Sequence, residues 1–152
     1  MSVATIRPYR SDDGPILSAI VRRCLREVNS RDYPADVIDR MCRHFTAERF
    51  DQLATVRQVW VLEEAGTPVG TVSRDGNKVF TMFVDPDRAG QGIGRRLMTH
   101  IEELAAADGH DHMETGASIS GYGFYHRIGY VDVRESDTEF GLNYILRKPL
   151  RR

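Results

Sequence analysis

The chain has 152 residues, a formal net charge of −1 at pH 7, and 41% hydrophobic and 28% charged residues. This length and composition predict one globular domain, residues 1–152, with a substantial hydrophobic core. The near-zero charge provides no field that would draw the chain to nucleic acid or a membrane surface, and its apolar runs are too short to cross a bilayer.

The amino terminus and the two cysteines bear on the cellular compartment. Residues 1–3 lead straight into a strand-like segment, without the apolar core of a signal peptide. Cys24 and Cys42 fall at apolar positions of predicted helices, where a thiol usually acts as a small hydrophobic group. A disulfide between them is open but unsupported, so we expect a reducing, cytoplasmic environment.

The chain begins with a predicted strand and helix. Residues 4–10 alternate weakly, and Pro8 favours an edge position for this strand. Ser11 or Asp12 can cap a helix in which Pro15 lies early. Apolar residues then recur at helical spacing: Ile16, Leu17, Ile20, Val21, Cys24, Leu25 and Val28.

Two further helices are predicted, one from about Ala35 and a short one from Thr46. Four acids near them could attract a cationic amine, although a solvated polar face is the simpler explanation. These acids are Asp32, Asp36, Asp39 and Glu48.

The middle of the chain changes to strand character. Residues 59–62, 69–73 and 79–84 are rich in β-branched and aromatic residues. Short turns at Ala65-Gly66 and Asp75-Gly76 join them. Such strands form an antiparallel meander.

A glycine-rich loop follows the third strand of the meander, with the sequence V-D-P-D-R-A-G-Q-G-I-G-R-R-L over residues 84–97. Glycines at positions 90, 92 and 94 let main-chain N–H groups turn inward without a Cβ in the way. At a helix start these N–H groups lack partners and lie at the positive end of the helix dipole. The loop therefore predicts a socket for an anion such as phosphate.

Two common phosphate-binding patterns do not fit this loop. A P-loop requires Lys-Ser or Lys-Thr after its last glycine, and Arg95-Arg96 stands there instead. A dinucleotide fingerprint would require glycine at position 95 or 97. The two arginines oppose the helix dipole by about 0.3–1 kcal/mol each, and a bound anion would reverse that effect.

The loop opens a helix that Gly109 can end, and a short strand at residues 112–115 follows. A strand, crossover helix and strand form a right-handed unit, so this strand is predicted to run parallel to residues 79–84. His110 and His112 alone are a weak metal signal, and we predict no metal site.

The last third predicts one helix and two strands. Ser118 can cap the helix, which contains Gly121 and Gly123. A strand at residues 130–133 and a final strand at residues 143–146 are separated by a polar loop that includes residues 134–138. Two copies could pair through an uncovered edge of these strands as a homodimer.

At two places the sequence resembles the GNAT superfamily of N-acyltransferases. V-x-P-D-x-x-G-Q-G-I-G-R-x-L is similar to the acyl-CoA loop of that family, and residues 117–130 resemble its Phe-Tyr-x-x-x-Gly-Phe segment. The resemblance implies an α/β (α+β) single-domain GNAT-like fold with helices on both faces of a central mixed, mostly antiparallel sheet. One parallel strand pair in this sheet would splay apart to admit the pantetheine arm of acetyl-CoA.

The resemblance also implies which residues hold the acyl-CoA. Ala89 stands where the family usually has Gln or Arg, with Arg88 as a stand-in, and Ser118 stands where Asn is common. The predicted cofactor-binding residues are Met82, Phe83, Val84, Arg88, Ala89, Gly90, Gln91, Gly92, Ile93, Gly94, Arg95, Arg96 and Ser118.

Tyr125 is the predicted catalytic residue, and the resemblance implies a general-acid tyrosine at this position. A phenol of pKa about 10 can protonate a thiolate of pKa about 8.5 against a modest gap. No base is singled out, because residues 79–84 contain no acid. The candidates are Glu63, Glu64, Asp75, His44, His126 or a water chain.

The resulting prediction is an N-acetyltransferase that moves an acetyl group directly from acetyl-CoA to a primary amine of a small molecule or peptide. Two other classes stay open. One is a catalytically silent acyl-CoA-binding sensor or partner domain, favoured by the missing acid. The other is an interaction domain without a cofactor.

Overall fold

The computed structural model describes residues 3–150 and contains one seven-stranded sheet with helices on both faces. The strands are β1 (Ala4–Pro8), β2 (Gln58–Glu64), β3 (Thr67–Asp75), β4 (Lys78–Val84), β5 (His112–Ala117), β6 (Val131–Thr138) and β7 (Gly141–Pro149). The helices are α1 (Gly14–Glu27), α2 (Ala35–His44), α3 (Ala47–Val56), α4 (Ile93–Ala107) and α5 (Tyr122–Arg127).

The strand order is β1-β2-β3-β4-β5-β7-β6. The β4–β5 pair is parallel and the other five pairs are antiparallel. This arrangement confirms the predicted mixed, mostly antiparallel sheet, the meander and the edge position of β1. Pairing of two copies through the outer edge of β6 stays a prediction.

Two hydrophobic cores lie on opposite faces of the sheet. Two adjacent residues of β2 belong to different cores: Val61 packs with α1, α2 and α3, whereas Leu62 packs with α4. Side chains of successive strand residues point to opposite faces, so one strand can serve both cores. The glycine-rich loop opens α4, so it begins a helix on the face of the sheet opposite to α1 and α2.

The parallel pair opens shortly after it begins. Only Lys78–Glu114 and Val79–Thr115 pair between β4 and β5. In β4 the register against β3 then shifts, and Thr81 adopts φ +49°. A bulge of this kind bends its strand away from the regular sheet. The predicted splayed pair is thus confirmed, and the bulge at Thr81 accompanies the divergence.

Three predicted boundaries were wrong: the start of α1, the loop at residues 134–138 and the start of α5. Residues 11–13 form a 3₁₀ turn, so α1 begins at Gly14, and the buried Asp13 carboxylate binds Arg7 and the Arg10 N–H instead of capping the helix. The segment at residues 134–138 is not a polar loop but part of β6. It shows no apolar alternation because nearly every β6 side chain is exposed.

Ser118 lies further from its helix than the sequence suggested. Its Oγ accepts a hydrogen bond from the Gly121 N–H at 2.9 Å, and α5 begins only at Tyr122. The serine therefore closes the turn that leads into α5, with Gly121 at the N-cap position.

Tyr33 joins the segment before α2 to the far side of the sheet. Its hydroxyl accepts a hydrogen bond from the Ile119 N–H at 2.9 Å and donates one to the Leu142 carbonyl at 3.1 Å. The buried ring lies within 3.4 Å of the Cβ position at Gly141. One side chain thus holds α2, the end of β5 and the β6–β7 hairpin together.

Replacing Tyr33 by phenylalanine is expected to lower the free energy of unfolding by about 1–3 kcal/mol, because two main-chain groups lose their partner. The urea midpoint should fall while the slope of the transition stays unchanged. Tyr9→Phe is the matched control, since the Tyr9 hydroxyl binds the exposed Asp51 carboxylate. Equal losses in the two variants would contradict the bracing role of Tyr33.

Candidate functional site

A cavity of about 710 Å³ lies where β4 and β5 diverge. The glycine loop and the start of α4 form one end. The last turn of α2, part of α1 and the β6–β7 turn form the other, and α5 forms a side wall. The splayed pair therefore opens a passage between two chemically different ends.

The glycine loop presents unpartnered donors to this cavity. Gly90 and Gly92 have φ of +77° and +78°, and a Cβ at either would meet nothing within 4 Å. Within residues 3–150 no acceptor binds the N–H groups of residues 90–95, and the first satisfied amide of α4 is that of Arg96, 3.1 Å from the Gly92 carbonyl. This cradle of free amides at a helix start fits a diphosphate.

Gly94 has a different purpose from the two preceding glycines. A Cβ there would lie 3.0 Å from the Met82 Cε and 3.1 Å from the Phe124 ring. The glycine allows the first turn of α4 to pack closely against β4 and α5. It keeps the amide cradle next to the open strand edge.

The side chains of the loop have divergent surroundings. Arg88 and Arg95 both line the cavity, but the Arg88 guanidinium is bound to Glu64 at 2.7 Å. Arg96 donates to the Ala4 carbonyl at 3.2 Å and, like Gln91, lies outside the cavity lining. Ala89 and Ile93 line the cavity with Gly90, Gly92 and Gly94. The roles assigned to these residues stay predictions.

The three β4 residues predicted to contact acyl-CoA alternate between the two cores. Met82 and Val84 pack toward α4, and Phe83 packs toward α1 and α2, with its ring 5.7 Å from that of Phe45. All three line the cavity. The Val84 carbonyl already accepts a hydrogen bond from the Cys24 thiol at 3.0 Å.

Cys24 and Cys42 are both free and buried. Burial raises the pKa of the Cys24 thiol to about 12. At neutral pH this thiol is protonated and therefore a poor nucleophile.

Tyr125 lies on the inner face of α5 and lines the cavity. Its ring is buried and contacts those of Phe124 and Tyr130, with centroids 5.2 and 5.5 Å away. Burial raises the pKa of Tyr125 to about 12, and the Thr115 hydroxyl acts against this shift. The phenol is therefore protonated at neutral pH, which the predicted role of proton donor requires.

The candidate bases lie in different surroundings. Glu63 binds Arg7, Glu64 binds Arg88, and His126 contacts Asp132 at 2.7 Å. Among all five candidates, His44 alone lines the cavity. No hydrogen bond of its ring is found with residues 3–150.

His44 lies at the end of α2 between two aromatic rings. The ring centroids of Phe45 and Phe140 are 4.9 and 5.5 Å away. Burial and the positive charges of Arg49 and Arg57 lower the pKa of His44 below its usual value, and Glu139 opposes them. The imidazole is therefore neutral at pH 7 and can accept a proton.

The four acids suggested to attract a cation lie outside the cavity lining. Asp32 accepts a hydrogen bond from Ser120, and Asp39 pairs with Arg26. Asp36 and Glu48 are exposed. For Asp36 and Glu48, a solvated polar face is therefore a sufficient explanation.

Sequence patterns did not point to several cavity residues. Met41, Phe140 and Asn143 line the end opposite the loop, together with Asn29. Phe140 lies in the two-residue turn between β6 and β7, within the part of the chain where strands were misjudged. Only the ring at a turn position, an unusual place for an apolar side chain, could have given a signal.

His112 is bound by Asn77 and Asp111. Among the described residues, no three His, Cys, Asp or Glu side chains are grouped closely enough to hold a metal ion. None of the helices in residues 3–150 is both long and apolar enough to span a membrane.

Comparison with known proteins gives a consistent family signal. The model of a family described as "Acetyltransferase (GNAT) domain" matches residues 30–145. A relative in Salmonella typhimurium, named peptidyl-lysine N-acetyltransferase YjaB, is 29% identical over 88% of each chain. The uncharacterized N-acetyltransferase YafP of Escherichia coli is 26% identical over 91% of this chain and 89% of its own.

Solved structures show the same fold. A GCN5-related N-acetyltransferase from Rhodopseudomonas palustris superposes with a TM-score of 0.89 at 23% identity, covering 99% of this chain and 98% of that one. The PaiA N-acetyltransferase of Thermoplasma acidophilum, solved with coenzyme A, gives a TM-score of 0.79 at 17% identity over 97% and 99% of the two chains.

Proposed function

The chain belongs to the GNAT family of acetyltransferases, and from that membership we propose that it transfers an acetyl group directly from acetyl-CoA to a primary amine within a ternary complex. One observation carries the proposal: residues 90 and 92–95, whose amides find no acceptor within the described chain, line the same cavity as a buried tyrosine and a neutral histidine. Donor binding, proton donation and proton acceptance are thus available in one enclosed space.

The donor would occupy the loop end of the cavity. Amides of residues 90–95 and the Arg95 guanidinium would hold its diphosphate, because main-chain donors at a helix start and arginine both favour phosphate oxygens. The open edge of β4 after Val79 would accept the pantetheine arm. When bound, acetyl-CoA supplies the acetyl group as a thioester.

Two residues of the chain would move the protons. His44 accepts one from the acceptor ammonium and releases it to solvent, which leaves the nitrogen free to attack. Tyr125 donates its phenol proton to the leaving sulfur and recovers a proton from the nitrogen that becomes the amide. The sum is one amide, one thiol and one proton released, so no further reactant is required.

Direct transfer is favoured over a covalent acyl-enzyme by the state of the cysteines. Cys24 lines the cavity, but its thiol has a pKa of about 12 because it is buried, and it donates to the Val84 carbonyl. Such a thiol would not attack a thioester at neutral pH.

The acceptor is a primary amine of a small molecule or a peptide. The names of the YjaB relatives point to lysine side chains of proteins, and a small amine would also fit the cavity. A thiol-release assay with acetyl-CoA and a panel of amines tests the activity. Thermal stabilisation by acetyl-CoA without thiol release from any amine would instead favour a silent binding domain.

Replacing His44 by glutamine is expected to lower kcat/KM by about 10²–10⁴-fold, the usual contribution of a general base. The wild-type rate should fall as pH decreases through the lowered pKa of His44, below its ordinary value of 6.5. The glutamine variant should lose this acidic limb, while coenzyme A binds with unchanged affinity.

His126→Gln is the matched control, because His126 is exposed on α5 and pairs with Asp132 outside the cavity lining. It should retain both the rate and the pH profile. An acidic limb that survives in His44→Gln would assign the proton to water or to the bound amine itself.

A further inference from the structure

The end of the cavity opposite the glycine loop, where the acceptor would bind, is lined mainly by apolar and aromatic side chains. We call it the acceptor end. The rings of His44, Phe45 and Phe83 lie on one side, and Phe140 approaches from the β6–β7 turn. Val28 and Met41 add aliphatic surface. The spacing of these rings, with centroids 4.9 to 5.7 Å apart, is that of an aromatic cluster that can extend by one further ring.

The charges around the cavity do not suit a polycation. Asp85 is the sole carboxylate that lines it within the described chain, and its Oδ1 already accepts hydrogen bonds from Arg23 at 3.1 Å and from the Asp87 N–H at 2.9 Å. Arg88 and Arg95 line the loop end of the same cavity, and Arg127 lines it from α5. A second or third ammonium on the acceptor would find no unpaired carboxylate in the lining.

Neutral polar groups are available for a single amine. The side-chain amide of Asn143 lines the cavity, and no hydrogen bond of this amide is found with residues 3–150. Its Nδ2 lies 3.3 Å from the Cβ position at Gly116, beside the splayed strands. An amide oxygen there can accept from an amine nitrogen, and apolar surroundings favour the neutral, nucleophilic form of that nitrogen.

We propose that the acceptor is a monoamine carried on an apolar group of aromatic size, which packs beside Phe45 and Phe140. The inference rests on the proposed acetyl transfer and narrows its acceptor. Because polycations lack a partner in the lining, spermidine and aminoglycosides are poor substrates. A lysine side chain, whose ammonium is carried on a flexible chain without a ring, is intermediate.

The test compares kcat/KM for thiol release by the full chain with acetyl-CoA and five amines: ethylamine, 2-phenylethylamine, spermidine, kanamycin and a short lysine peptide. The first two differ only by the ring. We expect 2-phenylethylamine to exceed ethylamine by about tenfold to a hundredfold, the value of burying one ring, and to exceed the other three amines.

A charge introduced at position 140 should reverse this order. In Phe140→Asp the rate with 2-phenylethylamine should fall and that with spermidine should rise, whereas Phe140→Leu should keep most of the apolar preference. Val133→Asp is the control, because it adds the same charge on an exposed β6 residue outside the cavity. It should leave the order of the amines unchanged.

The outcomes separate this inference from the activity itself. Equal rates with ethylamine and 2-phenylethylamine, or a preference for spermidine, kanamycin or the lysine peptide, would overturn the inference and leave acetyl transfer intact. An absence of thiol release with every amine would overturn both.

Discussion

The Gly92→Glu variant is expected to bind coenzyme A at least about 100-fold more weakly than the wild type, since like charges forced together cost several kcal/mol. Gly92 has φ +78°, and its Cβ position is open. A glutamate there would place a carboxylate beside the free amides of residues 90–95, where the diphosphate has to lie. Calorimetric titration with coenzyme A measures the loss.

Two other variants separate charge from backbone strain. Gly66→Glu adds the same side chain at φ +83°, also in open space, but in the β2–β3 turn. It should lose stability to a similar degree, by about 1–2 kcal/mol, and bind coenzyme A normally. Gly92→Ala carries the strain without the charge and should bind with intermediate affinity. Tight binding by Gly92→Glu would mean that the loop holds no diphosphate.

Tyr125→Phe is expected to lower turnover by about 10²–10⁴-fold, the usual contribution of a positioned acid, with little change in the affinity for coenzyme A. The variant removes one hydroxyl and keeps the ring that packs against Phe124 and Tyr130. Steady-state rates of thiol release, together with the Kd for coenzyme A, measure the two effects separately.

The high pKa of Tyr125 affects how readily its phenol can protonate the leaving thiolate. A phenol at about 12 would protonate a thiolate of pKa about 8.5 only against a gap of about 5 kcal/mol, more than the sequence suggested. Burial acts on thiols as well, however, as the pKa of about 12 for Cys24 in the same cavity shows. A coenzyme A thiolate formed there would be a stronger base, so the two pKa values approach each other.

Tyr122→Phe is the matched control for this prediction. It lies one turn earlier on α5, and its hydroxyl binds the exposed Asp132 carboxylate at 2.7 Å. It should leave turnover nearly unchanged. Equal turnover in Tyr125→Phe and the wild type would remove Tyr125 from the reaction.

Local sequence determined most of the donor side of the molecule. The turns at Ala65-Gly66 and Gly76-Asn77, the second one residue later than predicted, and the β-branched runs between them specify the meander. Turn type and side-chain alternation act over a few residues. The glycine spacing after Val84 likewise specifies the amide cradle. The parallel arrangement of β5 followed from the handedness of a strand–helix–strand unit.

The acceptor side could not be derived in the same way. β6 carries no apolar alternation because it is an edge strand exposed on both faces, and it is held by its main-chain pairing with β7. Its hairpin turn brings Phe140 against His44, although 96 residues separate them in sequence. Such a contact depends on tertiary packing, and no local periodicity encodes it.

The two ends of the cavity therefore differ in whether one continuous segment or several distant segments of the chain form them. The proposed donor site lies mostly in one unbroken stretch from β4 into α4, where a Cβ at Gly94 would press on Met82 and Phe124. The acceptor wall is assembled from a helix end and a hairpin tip, elements that tolerate exchange without disturbing the sheet. An evolving or redesigned enzyme could therefore acquire a new acceptor by altering the helix end and hairpin tip alone, with its source of acetyl groups left untouched.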